Sequence, residues 1–157
     1  MKIIFIFFSM FLSLICCVTP YSLAQESPYT KEVLDMFNLA KDHYYGILIG
    51  IDRYSDPKIL PFNTSASKDI LALDAILKEQ YGFKNKILLN EQATKQGILN
   101  LLYDFSKKME EDANILIYFS GNGELERLYN YGWWLTVDSK SDDVLTYLDQ
   151  IDIRKAI

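Results

Sequence analysis

Cysteine and histidine are the residues that this sequence has least of. It contains two cysteines, Cys16 and Cys17, and one histidine, His43. A disulfide needs two cysteines in the mature protein, and zinc sites are commonly built from clustered cysteine and histidine ligands. No cluster of His and Cys at metal-ligand spacing can be assembled here, so we expect neither a metal site nor a cofactor.

Both cysteines fall in a segment that we predict to be removed. Residues 1–24 carry a single charge, Lys2, and residues 3–18 are apolar apart from two serines. Small residues follow at the end of the segment, as in a signal peptide cleaved after Ala24. The apolar run is shorter than the ~20 residues that cross a bilayer. We therefore expect a secreted or periplasmic product that does not bind membrane after leader cleavage.

A lipoprotein attached through Cys16 or Cys17 is the alternative interpretation of this leader. Ile15 stands where a small residue is expected before a lipidated cysteine. With a cleaved leader, residues 25–157 have no disulfide and no thiol nucleophile.

Basic residues are outnumbered by acidic ones, with 16 Lys and Arg against 21 Asp and Glu. The formal net charge of the whole chain is -5, and removal of Lys2 with the leader makes it -6. Nucleic acids are bound by clustered positive charge, and no basic stripe is present. We expect no nucleic-acid partner.

Alternating strand and helix patterns follow a polar linker, or short docking helix, at residues 25–43. Short apolar runs predict strands at 45–51, 86–89 and 114–119. Between them, apolar spacing of 3.6 residues predicts a helix from Ala66 to about Tyr81 and a second helix after Thr94. Thr64 or Ser65 is the expected N-cap of the first helix. Residues 44–157 thus predict an α/β domain, a three-layer α/β/α sandwich around a mostly parallel sheet.

The third strand ends in a glycine-rich turn, Ser120-Gly121-Asn122-Gly123. The carboxyl edge of a parallel sheet is where α/β proteins place their chemistry, although such a sequence also forms an ordinary turn. A phosphate-binding loop is disfavoured, because the glycines lack the required spacing and the carboxylates of Glu124 and Glu126 follow.

Four segments together resemble the large-subunit (p20-like) domain of caspase-family cysteine peptidases, in particular the bacterial caspase-like and metacaspase-like branch. They are the strand and loop at 48–54 (LIGIDRY), the helix at 66–77, the strand and turn at 118–123 (YFSGNG), and the segments at 132–138 (GWWLTVD) and 152–154. The resemblance implies a caspase-like fold and descent from peptidases.

Catalysis in that family needs a cysteine thiolate and an imidazole that moves its proton. The resemblance places Asn122 where the family has its histidine, and a carboxamide does not shuttle protons. The family's cysteine follows on the next strand, and this chain has no cysteine after Asn122. We expect that strand to be absent, and the sheet to be incomplete at its C-terminal edge. His43 precedes the first strand, and we expect it to be a surface residue.

Two further roles are implied by the resemblance. Gly123 corresponds to the glycine whose backbone N–H contributes to the oxyanion hole. Asp69 corresponds to an acidic residue that receives a basic P1 side chain, although an Asp near a helix start is also favoured by the helix dipole. Trp133 and Trp134 either line a peptide groove or pack in the core, and we favour the core.

Two functions follow as hypotheses. The first is a caspase-like domain that is catalytically inactive in this chain, whose ancestor cleaved after Arg or Lys. The alternative is a secreted non-catalytic module, a pseudoenzyme that binds a peptide or protein. An open sheet edge would also favour self-association or binding of a missing C-terminal half.

Overall fold

The computed structural model describes residues 2–6, 43–61, 64–126 and 131–157. Of the predicted linker, only His43 belongs to the described residues, and the leader beyond residue 6 lies outside them. No helix in these four stretches is long and apolar enough to span a membrane.

A four-stranded parallel sheet forms the centre of the domain. Its strands are β1 (Lys2–Ile6), β2 (Tyr44–Gly50), β3 (Lys84–Leu89) and β4 (Asn114–Ser120), in the order β1-β4-β2-β3. Strand β2 is central, and its apolar residues Ile47, Leu48 and Ile49 are fully buried. The predicted parallel sheet is confirmed. Strand β2 is buried on both faces, as expected of a central strand, whereas β3 is partly exposed.

Helices cover both faces of this sheet. Helix α1 (Ala66–Tyr81) contributes Ile70 and Leu77 to a cluster around Leu48 on one face. Helices α2 (Lys95–Lys108) and α3 (Gln150–Ala156) pack on the other face, against the side of β2 that carries Ile47 and Ile49. The three-layer α/β/α arrangement is therefore confirmed.

A small antiparallel sheet follows the turn after β4. It consists of β5 (Gly123–Glu126), β6 (Tyr131–Trp134) and β7 (Leu148–Asp149), with β6 in the middle. Trp134 of β6 is buried and stacks on Phe119 of β4, with ring centroids 4.6 Å apart. The core interpretation is thus confirmed for Trp134, while Trp133 packs partly buried beside Tyr147. Two short 3₁₀ helices, Asn90–Gln92 and Val144–Thr146, complete the described elements.

The helix ends show which local predictions hold. The Thr94 side chain accepts a hydrogen bond from the Gly97 N–H and caps α2, as predicted. Gly82 ends α1 in the left-handed conformation, with φ of 69°, which glycine adopts without steric cost. Ser65 occupies the N-cap position of α1, as predicted, but its side chain makes no capping hydrogen bond.

Residues 2–6 form the outer strand of the sheet in the full chain. Strand β1 pairs with β4 in register from Lys2 opposite Asn114 to Ile6 opposite Tyr118. These residues belong to the predicted leader, whose cleavage after Ala24 stays a prediction. If the leader is removed, the β4 edge that β1 covers loses this partner.

Candidate functional site at the carboxyl edge of the sheet

The turn after β4 is held by hydrogen bonds from three directions. The Asn122 N–H donates to the Tyr54 hydroxyl at 2.6 Å, and the Asn122 carbonyl accepts from the Leu135 N–H at 3.0 Å. The Asn122 side-chain amide donates to the carbonyl of Leu60 at 2.8 Å. Asn122 therefore ties the turn to the loop after β2 and to the segment after β6.

Tyr54 fits closely against this turn. A Cβ atom on Gly121 would lie 2.8 Å from the Phe119 ring and 3.0 Å from the Tyr54 hydroxyl, so the position accepts only glycine without displacement. Burial raises the pKa of Tyr54 to about 12. The phenol is neutral at neutral pH and accepts the Asn122 N–H as a structural partner.

Asn122 has the wrong chemistry for proton transfer. Its carboxamide offers an amide donor and a carbonyl acceptor, and neither gains or loses a proton near neutral pH. The donor is directed at the main-chain carbonyl of Leu60. The Asn122 side chain therefore holds the loop after β2 against the turn.

Gly123 begins β5 and lies opposite Trp134 of β6. The Leu135 N–H donates to the Asn122 carbonyl, which makes Asn122 and Leu135 a hydrogen-bonded pair. Hydrogen-bonded and non-hydrogen-bonded pairs alternate along an antiparallel ladder, so the Gly123 N–H points away from β6. That direction leaves it compatible with the predicted oxyanion contact, which stays a prediction.

A second group of polar side chains at this edge was not predicted from the sequence. Asp52 follows β2, Ser67 lies in the first turn of α1, and Asn90 follows β3. The Asp52 carboxylate accepts from the Ser67 N–H at 3.0 Å, from the Ser67 hydroxyl, and from the Asn90 side-chain amide at 3.4 Å. The Asn90 side-chain oxygen Oδ1 in turn accepts from the Asp52 N–H at 2.8 Å.

Asp52 caps α1 in place of Ser65, because its carboxylate accepts the Ser67 N–H in the first turn of the helix. Burial raises the pKa of the Asp52 carboxyl, but the hydrogen bonds from Ser67 and Asn90 outweigh that effect and lower the pKa below its usual value. Asn90 adopts the left-handed region with φ of 46°, which asparagine tolerates better than most residues. These bonds join the ends of β2, β3 and α1 in one structural network.

Asp69 lies in the first turn of α1 and is exposed. Its backbone N–H donates to the Ser65 carbonyl at 3.0 Å. Burial, and then the negative charge of Asp69, raise the pKa of Tyr118 on β4. Asp69 thus lies on the α1 side of β4, and its role in binding a basic P1 side chain stays a prediction.

His43 lies at the other edge of the sheet. It immediately precedes β2, whereas Asn122 follows the parallel neighbour β4, so a strand of seven residues, about 20 Å, separates the two edges. His43 is half-buried, and its Nδ1 lies 2.8 Å from a carboxylate oxygen of Glu110. The fold therefore does not bring the imidazole to the turn of Asn122.

Comparison with known proteins agrees with this architecture. A solved structure, protein GSU0716 from Geobacter sulfurreducens, superposes with a TM-score of 0.54 over 72% of this chain at 16% sequence identity. That likeness shows the fold alone. The chain spans 44% of that protein, less than half its length.

No curated protein matches the sequence. The model of the caspase domain family of peptidases matches residues 43–155, which include β2, α1, β4 and the turn at Asn122. The match covers well over half of the sequence and agrees with the resemblance carried by the strand and turn motifs. The chain belongs to the caspase domain family.

Proposed function

We propose that this chain is a secreted caspase-domain protein without peptidase activity. The observation that carries the proposal is the state of Asn122, whose side-chain amide is bonded to the Leu60 carbonyl where the family resemblance calls for an imidazole. Residues 25–157 also contain no cysteine. The turn thus has neither of the two groups that thiol peptidases use.

Other residues do not supply the missing groups. The single histidine lies at the opposite edge of the sheet, beside Glu110. Tyr54 contacts the turn directly, but its pKa of about 12 keeps the phenol protonated at neutral pH, so it cannot act as a general base there. The Gly123 N–H alone would stabilise an oxyanion without a nucleophile to form it.

An activity assay tests this proposal. The purified chain is incubated with fluorogenic peptides that end in Arg or Lys, with and without a thiol-alkylating reagent. We expect no hydrolysis above the buffer rate, and no change for Asn122→His, because an imidazole has no thiol to activate. Hydrolysis that the reagent abolishes would overturn the proposal.

A second candidate function is the binding of an extended peptide or protein segment. Strand β5 is an edge strand of the small sheet, and all four of its residues are exposed. Gly123 and Leu125 occupy non-hydrogen-bonded positions opposite β6, so their N–H and C=O groups face outward. Such groups accept an added strand, and the neighbouring carboxylates of Glu124 and Glu126 favour a basic one.

The β4 edge offers a second place for strand addition. Cleavage after Ala24 would remove β1 and leave the outer groups of β4 available to a second copy or another chain. We expect the processed chain to self-associate more strongly than the full chain, as measured by sedimentation velocity over a concentration series. Identical sedimentation of the two forms would argue against this edge as a binding surface.

A further inference from the structure

A small cluster of charged side chains forms at the amino edge of the sheet, away from the candidate site. His43 precedes β2, and Glu110 and Asp112 lie in the loop between α2 and β4. The His43 Nδ1 atom is 2.8 Å from Glu110 Oε2 and 3.2 Å from Asp112 Oδ1. One ligand atom from each of the three residues lies within 4.8 Å of the others.

The His43 nitrogen is unusually placed for an ordinary ion pair. Its Nδ1 atom is shielded from solvent and has no hydrogen-bond partner of acceptable geometry, although two carboxylate oxygens lie within 3.2 Å. A shielded polar atom without a hydrogen bond is costly, and such atoms need an explanation.

This donor set suits a metal ion. Tetrahedral ligands at about 2.0–2.2 Å from zinc lie about 3.3–3.6 Å from one another. The 3.2 Å distance from His43 to Asp112 is close to that separation. The 2.8 Å distance from His43 to Glu110 would lengthen by about 0.5 Å when an ion binds, a small movement for an exposed side chain. Two carboxylates also bring negative charge to the cluster, which a divalent cation offsets.

The identity of the donors selects among cations. Calcium and magnesium prefer sites made of oxygen ligands, whereas an imidazole nitrogen favours zinc and related transition metals. Both carboxylates are well exposed, with 65% and 70% of their side-chain surface accessible, so an ion can enter from solvent.

We propose that His43, Glu110 and Asp112 form a binding site for a divalent transition-metal ion of the zinc class. The ion would connect the residue before β2 to the loop that leads into β4. Because the three ligands come together only in the folded state, binding of the ion would stabilise the domain against unfolding. We expected no metal site because the sequence has no cluster of His and Cys. This cluster instead combines one histidine with two carboxylates that lie much later in the chain.

Calorimetric titration with zinc chloride tests the proposal on protein without a histidine tag. We expect one zinc ion per chain, and an affinity at least tenfold weaker in Glu110→Gln, Asp112→Asn and His43→Gln. Glu111→Gln is the matched control, because this carboxylate lies in the same loop outside the cluster, and its affinity should equal that of the wild type. Calcium and magnesium should bind at least tenfold more weakly than zinc.

Nuclear magnetic resonance gives a readout that does not depend on the variants. His43 is the only histidine, so its imidazole nitrogen signals are unambiguous. Zinc should shift the Nδ1 resonance to a metal-bound position. In a sample with magnesium in place of zinc, the resonance should stay unshifted. Unchanged imidazole signals at saturating zinc, or equal zinc affinity in Glu111→Gln and both carboxylate variants, would overturn the proposal.

Discussion

The two edges of the parallel sheet use their polar side chains differently. At the carboxyl edge, the Asp52 carboxylate accepts hydrogen bonds from Ser67 and Asn90, and Asn122 is bonded to Tyr54 and Leu60. At the amino edge, the shielded nitrogen of His43 lies among carboxylates without a hydrogen bond.

This difference distinguishes polar groups that stabilise the fold from polar groups that could bind a ligand. Polar groups that satisfy one another hold the chain in place and offer little to a substrate. A nitrogen that its neighbours leave unsatisfied is a candidate to bind something else. In this chain the polar groups named above at the carboxyl edge are hydrogen-bonded to the protein itself. The nitrogen without a hydrogen bond lies at the amino edge.

Removal of the Asp52 carboxylate should have the largest effect on stability. Asp52→Ala leaves the Ser67 N–H, the Ser67 hydroxyl and the Asn90 amide without their shared acceptor, and it removes the cap of α1. We expect the free energy of unfolding to fall by about 2 kcal/mol in urea denaturation. Glu91→Gln is the control, because its contact with Arg53 is exposed and 4.0 Å long. An equal loss in both variants would contradict the network.

The same carboxylate should make stability depend on pH. The folded pKa of Asp52 is lowered, so its contribution is present above the unfolded pKa of about 4 and is lost as pH falls through the folded pKa. Between pH 6 and about pH 3, Asp52→Ala should therefore lose less stability than the wild type. Urea midpoints at the two pH values measure this. Parallel losses would show that the carboxylate is not stabilised in the folded state.

Loss of the Tyr54 hydroxyl should have a smaller effect. Tyr54→Phe removes the acceptor of the Asn122 N–H at 2.6 Å and should cost about 1 kcal/mol. Because the folded pKa is raised, the contribution of Tyr54 to stability is fully present below pH about 10 and is lost as pH rises through about 12. The variant should therefore lose less stability than the wild type over that range. Urea denaturation at increasing pH checks both effects. A wild type and variant with the same alkaline response would contradict burial of this phenol.

The smallest effect should come from the amino edge in metal-free buffer. Glu110→Gln removes one exposed partner of His43, and exposed pairs contribute about 0–1 kcal/mol. We expect a change in unfolding free energy below about 0.5 kcal/mol in the presence of a chelator. A loss as large as that of Asp52→Ala would show that this edge is structural as well, and the comparison of the two edges would fail.

Local patterns in the sequence predicted the framework of the fold. Short apolar runs marked β2, β3 and β4, and helical spacing marked α1 and α2 with the Thr94 cap. These elements are encoded locally, because side-chain period and end signals are read within one segment. The turn at Asn122 was also placed correctly, directly after a buried strand at the carboxyl edge.

Contacts between distant segments could not be predicted in the same way. Asp52 and Asn90 are 38 residues apart, and Asn122 and Leu60 are 62 residues apart. The cluster at His43 also joins two separate segments. Periodicity and composition contain no information on which loops meet, so the cap of α1 was assigned to its nearest serine or threonine and the metal-ligand set was missed.

Assay of the chain as its host secretes it tests the central claim most directly. Intact mass spectrometry of the same sample establishes which residues the product contains, and Arg and Lys peptides are then offered as substrates with and without a thiol-alkylating reagent. We predict a product without a thiol that hydrolyses neither peptide. Thiol-dependent hydrolysis by a product whose mass matches residues 25–157 would contradict the account.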